Sequence, residues 1–425
     1  LELYRVGDAN NKGEDNGTTV TPARIDAPNL TPGTYVLLAM EEKGAFTGNY
    51  GLSLQFVKVA CATPIGCMDD VNGNLNRKAE MDAFTFEVTT EDKLVIARMM
   101  QNGSPISSRL ELYRVGDPSI KEEDDGTTVT PARINAGNLT PGTYVLLAME
   151  ENGAFIGDYG LSVQFVKASC ATSIECTGDV NGNLGKKAEM DAFTFEVTPE
   201  NKWVIARMMQ DGSPISARLE LYRVGDPSIK VEDDGTTVTA ARIGAHLVPG
   251  TYVLLAMEEK GAFTGNYGLS VQLVCAACAN SLSCNGDLSG SLDKKAEMDA
   301  FAFPVVPGDA YIFKFHGTGI PEYRLEFYDQ AGNELSGLTQ NIGNSDTLRL
   351  DLSPANFQGA TGVTLVVMDK NGVYTGGYNL SVQRLRPVCA QLLTCGEDVK
   401  SSLALTSQMN AYALPVQPGD RFILR

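Results

Sequence analysis

The chain has 425 residues, and 34 Lys plus Arg against 52 Asp plus Glu give it a formal net charge of −18 at pH 7. Because phosphate binding requires clustered cations, this acidic balance excludes an ordinary nucleic-acid partner. No apolar run approaches the ~20 residues that a membrane-spanning helix needs, so we expect no membrane span.

One phrase recurs along the chain. LELYRVGD begins at Leu1, Leu110 and Leu219, and the divergent form LEFYDQAG begins at Leu325, so successive copies are 109, 109 and 106 residues apart. Blocks of this size can each bury a core of their own, whereas solenoid repeats of roughly 20–50 residues depend on their neighbours. The sequence therefore predicts several domain-sized repeats.

The boundaries between repeats are predicted at the polar stretches around the cysteines, where the strand pattern is weakest. This frame gives three complete units at residues 61–169, 170–277 and 278–388, while residues 1–60 match the second half of a unit and residues 389–425 match the first half. Two arrangements fit this pattern. Either the repeats continue on both sides in a longer array, or the tail of one copy completes the head of the next by strand addition, which gives an open head-to-tail fibre.

Within a unit every strong signal is that of a β-strand. Phe193, Phe195 and Val197 alternate with polar residues in DAFTFEV, and Ser162 and Gln164 occupy the alternate positions of YGLSVQFV. Such alternation predicts one row of side chains facing a core and the other facing water. Seven or eight short strands per unit, separated by Gly, Pro, Asn and Asp, predict an all-β chain of tandem antiparallel β-sandwich domains, jelly-roll or Greek-key-like in topology.

The segments NGNLGKKAEMDAFTFEV, KWVIARM, LELYRVGD and PGTYVLLAME follow one another in the unit at residues 170–277, and GDYGLSVQ closes the preceding unit at the place where this unit has GNYGLSVQ. In this order they resemble the bacterial pre-peptidase C-terminal (PPC) domain. The resemblance implies a secreted β-sandwich module of the kind found beside peptidases and in tandem on bacterial surface proteins, some relatives of which bind collagen or calcium. The family's acidic pair before the aromatic strand appears three times, and the last copy departs from it with Gln408 and Asn410. The matching pairs are Glu80 and Asp82, Glu189 and Asp191, and Glu297 and Asp299.

Eight of the nine cysteines form four C-x5-C motifs, one at the same point of each repeat. A local disulfide loop within each motif is the simplest interpretation, and it implies an oxidising, extracytoplasmic location. Zinc is the alternative, but zinc needs four ligands, and the two histidines, His246 and His316, fall outside the pattern. The predicted pairs are Cys61 with Cys67, Cys170 with Cys176, Cys278 with Cys284, and Cys389 with Cys395.

The ninth cysteine, Cys275, stands where earlier repeats have Lys58 and Lys167. We interpret it as an unpaired, small buried thiol; an interchain crosslink is the alternative.

Crowded carboxylates are the best candidates for a ligand site. The runs KEEDDGTTVT and KVEDDGTTVT precede a strand and read as acidic loops, and a second acidic corner precedes the strand DAFTFEV. Hard oxygen ligands in a flexible loop suit calcium, whereas a solvated hairpin tip is the alternative for the two runs. At the corner, Asp191 shares strand parity with Phe193, so we expect it to point inward and accept main-chain N–H bonds, or to bind calcium. The candidate calcium residues are Asp124, Asp125, Asp233, Asp234, Glu189 and Asp191.

The stretch DVNGN (Asp179 to Asn183) begins like an EF-hand loop but has Leu184 where that loop needs Gly. We interpret it as a turn into the first strand.

No catalytic arrangement is evident, because the sequence has two histidines at unmatched places, no nucleophile elbow and no phosphate-cradling glycine loop. We therefore expect no enzyme activity and no cofactor other than calcium. The predicted function is that of a secreted or cell-surface bacterial structural protein, building a filament, sheath or stalk, whose partners are copies of itself or further repeats. The alternative is a set of accessory modules that hold a secreted hydrolase or adhesin to protein or polysaccharide.

Overall fold

The computed structural model describes residues 1–18, 21–117 and 119–423. The described residues form three complete β-sandwiches in tandem, flanked by a head segment (residues 1–60) and a tail segment (residues 389–425) that carry short strands of their own. The predicted all-β fold class is confirmed. The helical residues in the described ranges belong to short 3-10 helices, four of which begin the cysteine motifs; the five helices are Val59–Cys61, Ala168–Cys170, Ala276–Cys278, Pro354–Phe357 and Pro387–Cys389.

Sandwich 1 pairs a four-stranded sheet, in the order β10-β7-β12-β5, with a five-stranded sheet, in the order β4-β6-β11-β8-β9. Neighbouring strands are antiparallel, except that the two-residue strand β4 runs parallel to β6. The strands are β4 Thr63–Pro64, β5 Asp69–Leu75, β6 Met81–Val88, β7 Leu94–Gln101, β8 Ser108–Arg114, β9 Ile120–Asp125, β10 Ala132–Gly137, β11 Gly142–Glu150 and β12 Gly157–Phe165.

Sandwiches 2 and 3 repeat this topology strand for strand. Sandwich 2 contains β13 Thr172–Ser173, β14 Thr177–Leu184, β15 Met190–Val197, β16 Trp203–Gln210, β17 Ala217–Arg223, β18 Ile229–Asp234, β19 Ala241–His246, β20 Gly250–Glu258 and β21 Gly265–Leu273. Sandwich 3 contains β22 Asn280–Ser281, β23 Asn285–Leu292, β24 Met298–Pro304, β25 Tyr311–Thr318, β26 Glu322–Asp329, β27 Gln340–Gly343, β28 Thr347–Leu352, β29 Gly362–Asp369 and β30 Gly376–Arg384.

The head and tail segments carry strands that correspond to different parts of the same repeat. The head sheet has the order β2-β1-β3, and the tail pairs β31 with β32 in parallel, as β13 pairs with β15. Their strands are β1 Glu2–Arg5, β2 Asn11–Glu14, β3 Tyr35–Leu38, β31 Gln391–Leu392 and β32 Tyr412–Ala413.

Each sandwich has its own apolar core between its two sheets. In sandwich 2, Tyr252, Leu254 and Ala256 of β20 point inward and meet Phe193 and Phe195 of the neighbouring strand β15. These five side chains are buried, as the alternation in the sequence predicts. The residues LELYR of the recurrent phrase lie in β17, the strand that is hydrogen-bonded to the other edge of β20.

The opposite faces of the sheets are also buried where two units meet, and there the prediction that one row of side chains faces water is wrong for the central strands. Leu94 and Ile96 of β7, on the outer face of the four-stranded sheet of sandwich 1, pack against Val253 and Leu255 on the outer face of the five-stranded sheet of sandwich 2. Ser162 and Gln164, predicted to face water, are at most 1% exposed. The sandwiches are therefore stacked sheet on sheet. We call each such contact a junction.

The same junction occurs three times within the described residues. Between sandwiches 2 and 3, Ile205 and Val274 pack against Val366 and Met368. Between the head segment and sandwich 1, Val57 packs against a cluster formed by Tyr113, Val145, Leu147 and Met149. Every junction joins the face of one unit to a different face of the next.

Two acidic or polar stretches predicted as loop and turn are edge strands instead. The acidic run before Gly126 forms β9, which pairs with β8, and the corresponding run in the next repeat forms β18. The DVNGN stretch lies in β14, at the edge of the four-stranded sheet. Charged side chains on an edge strand disfavour pairing with a foreign strand, so these sequences suit edges as well as they suit loops.

The structure corrects the predicted cysteine pairing, because none of the C-x5-C motifs closes on itself. The second cysteine of each of the first three motifs bonds the first cysteine of the next motif, 102 to 105 residues later: Cys67 to Cys170, Cys176 to Cys278, and Cys284 to Cys389. The reason lies in the sheet order. The first long strand of a sandwich, such as β5, is the antiparallel neighbour of its last strand, β12, so the start of one lies beside the end of the other.

Each disulfide thus closes all of one sandwich except its two-residue first strand into a covalent ring. Cys61 and Cys395, predicted to be bonded, are free and exposed. Cys275 is free and buried, as predicted.

Candidate functional site

The most highly organised polar site is an ionic cluster at the centre of each junction. Between sandwiches 1 and 2, Glu220 on β17 is fully buried and accepts two hydrogen bonds from the guanidinium of Arg133 on β10, at 2.7 and 2.6 Å. On its own strand Glu220 accepts further bonds from Arg218, at 2.7 Å, and from the hydroxyl of Tyr222, at 2.7 Å. Bidentate bonds between guanidinium and carboxylate are strong and fix orientation, so this cluster sets how two sandwiches sit against each other.

The cluster recurs at the other two junctions. Arg24 of the head segment bonds Glu111, which also accepts the hydroxyl of Tyr113 at 2.8 Å. Arg242 of sandwich 2 bonds Glu326 of sandwich 3 at 2.8 and 3.0 Å. The arginine always belongs to the earlier unit and the glutamate to the later unit.

Burial by itself would raise the pKa of Glu220, but the hydrogen bonds from Arg133, Arg218 and Tyr222 outweigh it and hold the pKa at about 2. The pKa of Glu111 is likewise lowered to about 2, against the effect of burial, by Arg24 and Arg109. Both carboxylates are therefore charged throughout the physiological pH range.

A second arginine is buried at each of the two junctions between complete sandwiches. Arg98 on β7 is 1% exposed, and its Nη2 donates to the main-chain carbonyls of Glu258 and Glu259 in the next sandwich, at 3.0 and 3.1 Å. Arg207 makes the same two bonds to Asp369 and Lys370. Burial, aided by the nearby charge of Arg133, lowers the pKa of Arg98 to about 10, so the side chain is still a cation at neutral pH.

The predicted acidic corner is a structural hydrogen-bonding site. Asp191 points inward, as predicted, but it accepts the hydroxyl of Tyr267 instead of main-chain N–H groups. Glu189 makes the main-chain contact, accepting the N–H of Lys186 at 2.6 Å. The DVNGN stretch serves the same corner, because a Cβ at Gly182 would lie only 2.1 Å from the ring of Tyr267.

A pH-dependent stability is expected at this corner. Burial raises the pKa of Asp191 to about 6, above the ordinary value of 3.8, although the hydrogen bond from Tyr267 opposes the rise. Because the folded state binds this proton more tightly than the unfolded chain, stability is lost as the pH rises from about 4 through 6. We expect Asp191→Asn to match the parent near pH 4 and to be more stable at pH 7, by at most about 3 kcal/mol, in thermal unfolding.

Asp211→Asn, at an exposed turn, is the control for this prediction. It should leave the difference between the two pH values unchanged. Equal melting temperatures for Asp191→Asn and its parent at pH 7 would contradict the prediction.

The other predicted calcium residues are separated by the strand pleat. Neighbouring residues of a strand point to opposite faces, so Asp124 accepts the main-chain N–H of Arg133 at 2.8 Å while Asp125 pairs with Arg109 at 2.7 Å. In the next repeat Asp233 accepts the N–H of Arg242 and Asp234 pairs with Arg218. In the part of the chain that the structure describes, no three His, Cys, Asp or Glu side chains are grouped as a metal site would need.

Sequence reasoning missed the junction residues. Arg133 and Glu220 lie in the phrases ARI and LELYRV, which recur in the repeats, but a charged residue at an alternate strand position is usually solvated. A usable signal was present. Glutamate stands between two apolar residues in LELY and in its divergent form LEFY, although the surrounding residues of the fourth copy have changed.

Fold and site together define a tandem array of disulfide-ringed β-sandwiches that associate by a repeated, directional junction. No protein-family model matches the sequence, and no curated protein matches it. Among solved structures, the pre-peptidase C-terminal domain of collagenase from Bacillus anthracis is 22% identical over 26% of this chain and 100% of that chain, with a TM-score of 0.22.

Two further structures have lower identity. A putative secreted protein from Eubacterium rectale is 10% identical over 53% of this chain and 83% of its own, with a TM-score of 0.21. The CUB1-EGF-CUB2 domain of human MASP-1/3 is 9% identical over 49% of this chain and 100% of its own, with a TM-score of 0.19.

Three disulfides in one chain are typical of proteins in an oxidising, extracytoplasmic compartment. Helices of the length and hydropathy required to cross a bilayer do not occur within residues 1–18, 21–117 and 119–423.

Proposed function

We propose that this protein is an extracellular structural protein whose sandwiches stack into a filament, sheath or stalk, and that copies associate head to tail through the same junction that stacks the sandwiches within one chain. The observation that carries the proposal is the repetition of that junction. A contact that joins one face of a unit to a different face of the next is heterologous, so it propagates along a fibre unless its rotation closes a ring.

Glu2 in the head segment and Arg349 in sandwich 3 lie at the positions of the two halves of the ionic cluster. Glu2 occupies the position of Glu111 and already accepts the hydroxyl of Tyr4, at 2.8 Å, as Glu111 accepts that of Tyr113. Arg349 on β28 occupies the position of Arg242 on β19, but its side chain is 57% exposed and pairs with Asp351. In a head-to-tail pair, Arg349 of one copy would therefore meet Glu2 of the next.

The head and tail segments also carry exposed apolar side chains, and the head carries a sheet edge. Tyr50 is 75% exposed, whereas the corresponding Tyr159 is buried in sandwich 1, and Val416 is 58% exposed, whereas the corresponding Val197 is buried. Among the described residues β3 pairs only with β1, although the corresponding β11 has strands on both sides. The tail around β32 corresponds to β6, the other neighbour of β11, and in the same register Leu414 of one copy would lie opposite Tyr35 of the next.

Charge reversal tests this proposal. In negative-stain images of the native protein we expect regular fibres, and Arg349→Glu should shorten them at least about tenfold, because it places like charges together at the head-to-tail contact. Adding Glu2→Arg in the same chain restores the opposite-charge pair and should restore fibre length.

Lys121→Glu is the matched control, since it makes the same change of charge at a residue whose ion pair with Asp117 lies within one hairpin. It should leave the fibres unchanged. Dispersed particles of the unmutated protein that bind protein or polysaccharide would overturn the proposal in favour of accessory modules. The intact mass of the native polypeptide separates a longer covalent array from copies joined head to tail.

A further inference from the structure

Two exposed thiols occupy positions that are bonded elsewhere in the same chain. Cys61 is the first cysteine of its motif, as are Cys170, Cys278 and Cys389, each of which bonds a second cysteine of the preceding motif. Cys395 is the second cysteine of its motif, and in the other motifs that cysteine bonds the first cysteine of the following motif. The two free thiols, Cys61 and Cys395, are therefore complementary halves of one more bond of the same kind.

The main chain around Cys61 is already in the conformation of the bonded copies. Gln55 donates from Nε2 to the carbonyls of Phe56 and Cys61, at 3.1 and 2.8 Å. Gln164 holds Phe165 and Cys170 by the same two bonds, at 2.9 and 2.7 Å. In both copies a 3-10 helix ends at the cysteine.

The tail presents Cys395 in a matching setting. The pair β31 and β32 reproduces the parallel pair β13 and β15 that flanks Cys176. Leu403, at the position of Leu184, is 65% exposed where its counterpart is buried. In sandwich 2, Leu184 lies on β14, which pairs with β21. The part of the head segment that corresponds to β21 comes shortly before Cys61.

We propose that Cys395 of one copy forms a disulfide with Cys61 of the next, so that the head-to-tail contact is sealed covalently. This inference rests on the proposed head-to-tail function and names both its partner, a second copy of this chain, and its modification site. The composite sandwich would then be closed by a bond equivalent to the three within the chain.

The oxidant is a low-molecular-weight disulfide. The thiolate of Cys395 attacks one sulfur of that disulfide and releases the first small thiolate, which takes up a proton. The thiolate of Cys61 from the next copy then attacks the Cys395 sulfur of the mixed disulfide and releases the second. Two protein thiols are oxidised, and one small disulfide is reduced to two thiols.

Variants with one thiol each test the inference on the full chain. In a buffer of oxidised and reduced glutathione, the parent should give a ladder of covalent multimers on non-reducing gels, with a Cys395-to-Cys61 peptide detected by mass spectrometry. Cys61→Ser alone and Cys395→Ser alone should each remain monomeric, whereas their mixture should stop at a heterodimer. Cys275→Ser, which removes the buried free thiol, should leave the ladder unchanged.

Four results would overturn the inference. The first is symmetric dimers of either single variant, and the second is a ladder that persists without Cys61. The third is fibres that assemble equally with and without reductant and yield no Cys395-to-Cys61 peptide, a result that leaves the proposed function standing. If reduced and oxidised protein both stay as separate particles, the proposed function falls with it.

Discussion

Replacing Cys176 and Cys278 together by Ala is expected to lower the free energy of unfolding of sandwich 2 by about 4 kcal/mol. The two cysteines are 102 residues apart, so their bond removes a large part of the conformational freedom of the unfolded chain. Tryptophan fluorescence can follow the unfolding, because Trp203, the one tryptophan of the sequence, lies on β16 of this sandwich. Denaturant unfolding followed by tryptophan fluorescence therefore reports this unit.

Cys275→Ala is the matched control for the double replacement. It removes a buried thiol of the same sandwich that closes no ring, and it should cost about 1 kcal/mol. A double variant no less stable than this control would mean that the ring bond is not formed in the native protein. Local pairing of Cys170 with Cys176 predicts a much smaller loss, since that bond would enclose only a few residues.

The second large effect is expected at the junction. Glu220→Gln removes the charge that Arg133 and Arg218 share, and it should destabilise sandwich 2 by about 4 kcal/mol, because Arg133 then loses its carboxylate partner at the junction, whereas Arg218 keeps Glu232 and Asp234. The pKa of Glu220 is depressed to about 2, so this contribution is present above about pH 4.5 and is lost as the pH falls toward 2. Parent and variant should therefore differ at pH 7 and converge near pH 2.

Glu232→Gln provides the comparison, since Glu232 pairs with the same Arg218 at 2.5 Å but its side chain is 49% exposed. Its loss should cost less than about 1 kcal/mol. Equal effects of the two substitutions would contradict a buried junction cluster.

The fold class could be predicted because the alternation in DAFTFEV and YGLSVQFV depends only on the pleat, and the pleat is a local property. The stacking could not be predicted in the same way. Ser162 and Gln164 are polar, and a polar row on a strand looks alike whether it faces water or a neighbouring sheet that satisfies its hydrogen bonds. The near-continuous apolar run YVLLAM is the exception, because such a run is typical of a strand buried on both faces, as β11 is.

The cysteine pairing was wrong for a related reason. Spacing along the chain favours Cys170 with Cys176, whereas the actual partner depends on which strands are neighbours in the sheet. For the site residues too, strand parity predicts which way a side chain points, whereas its partner depends on the sheet order. Asp191 could be placed facing inward from strand parity, but its partner, Tyr267, lies on β21, the antiparallel neighbour of the DVNGN strand β14.

The disulfide rings also determine how the stack responds to a pulling force. The covalent route along the chain passes from Cys67 to Cys170, through residues 171–175, and from Cys176 to Cys278, so the two-residue β13 is the one strand of sandwich 2 that lies on it. If a sandwich unravelled under tension, the ~360 Å of contour length in its 102-residue loop would stay locked. Extension per unit would then be limited to the short connecting peptide, and reducing the bonds would turn a nearly inextensible tether into a long elastic one.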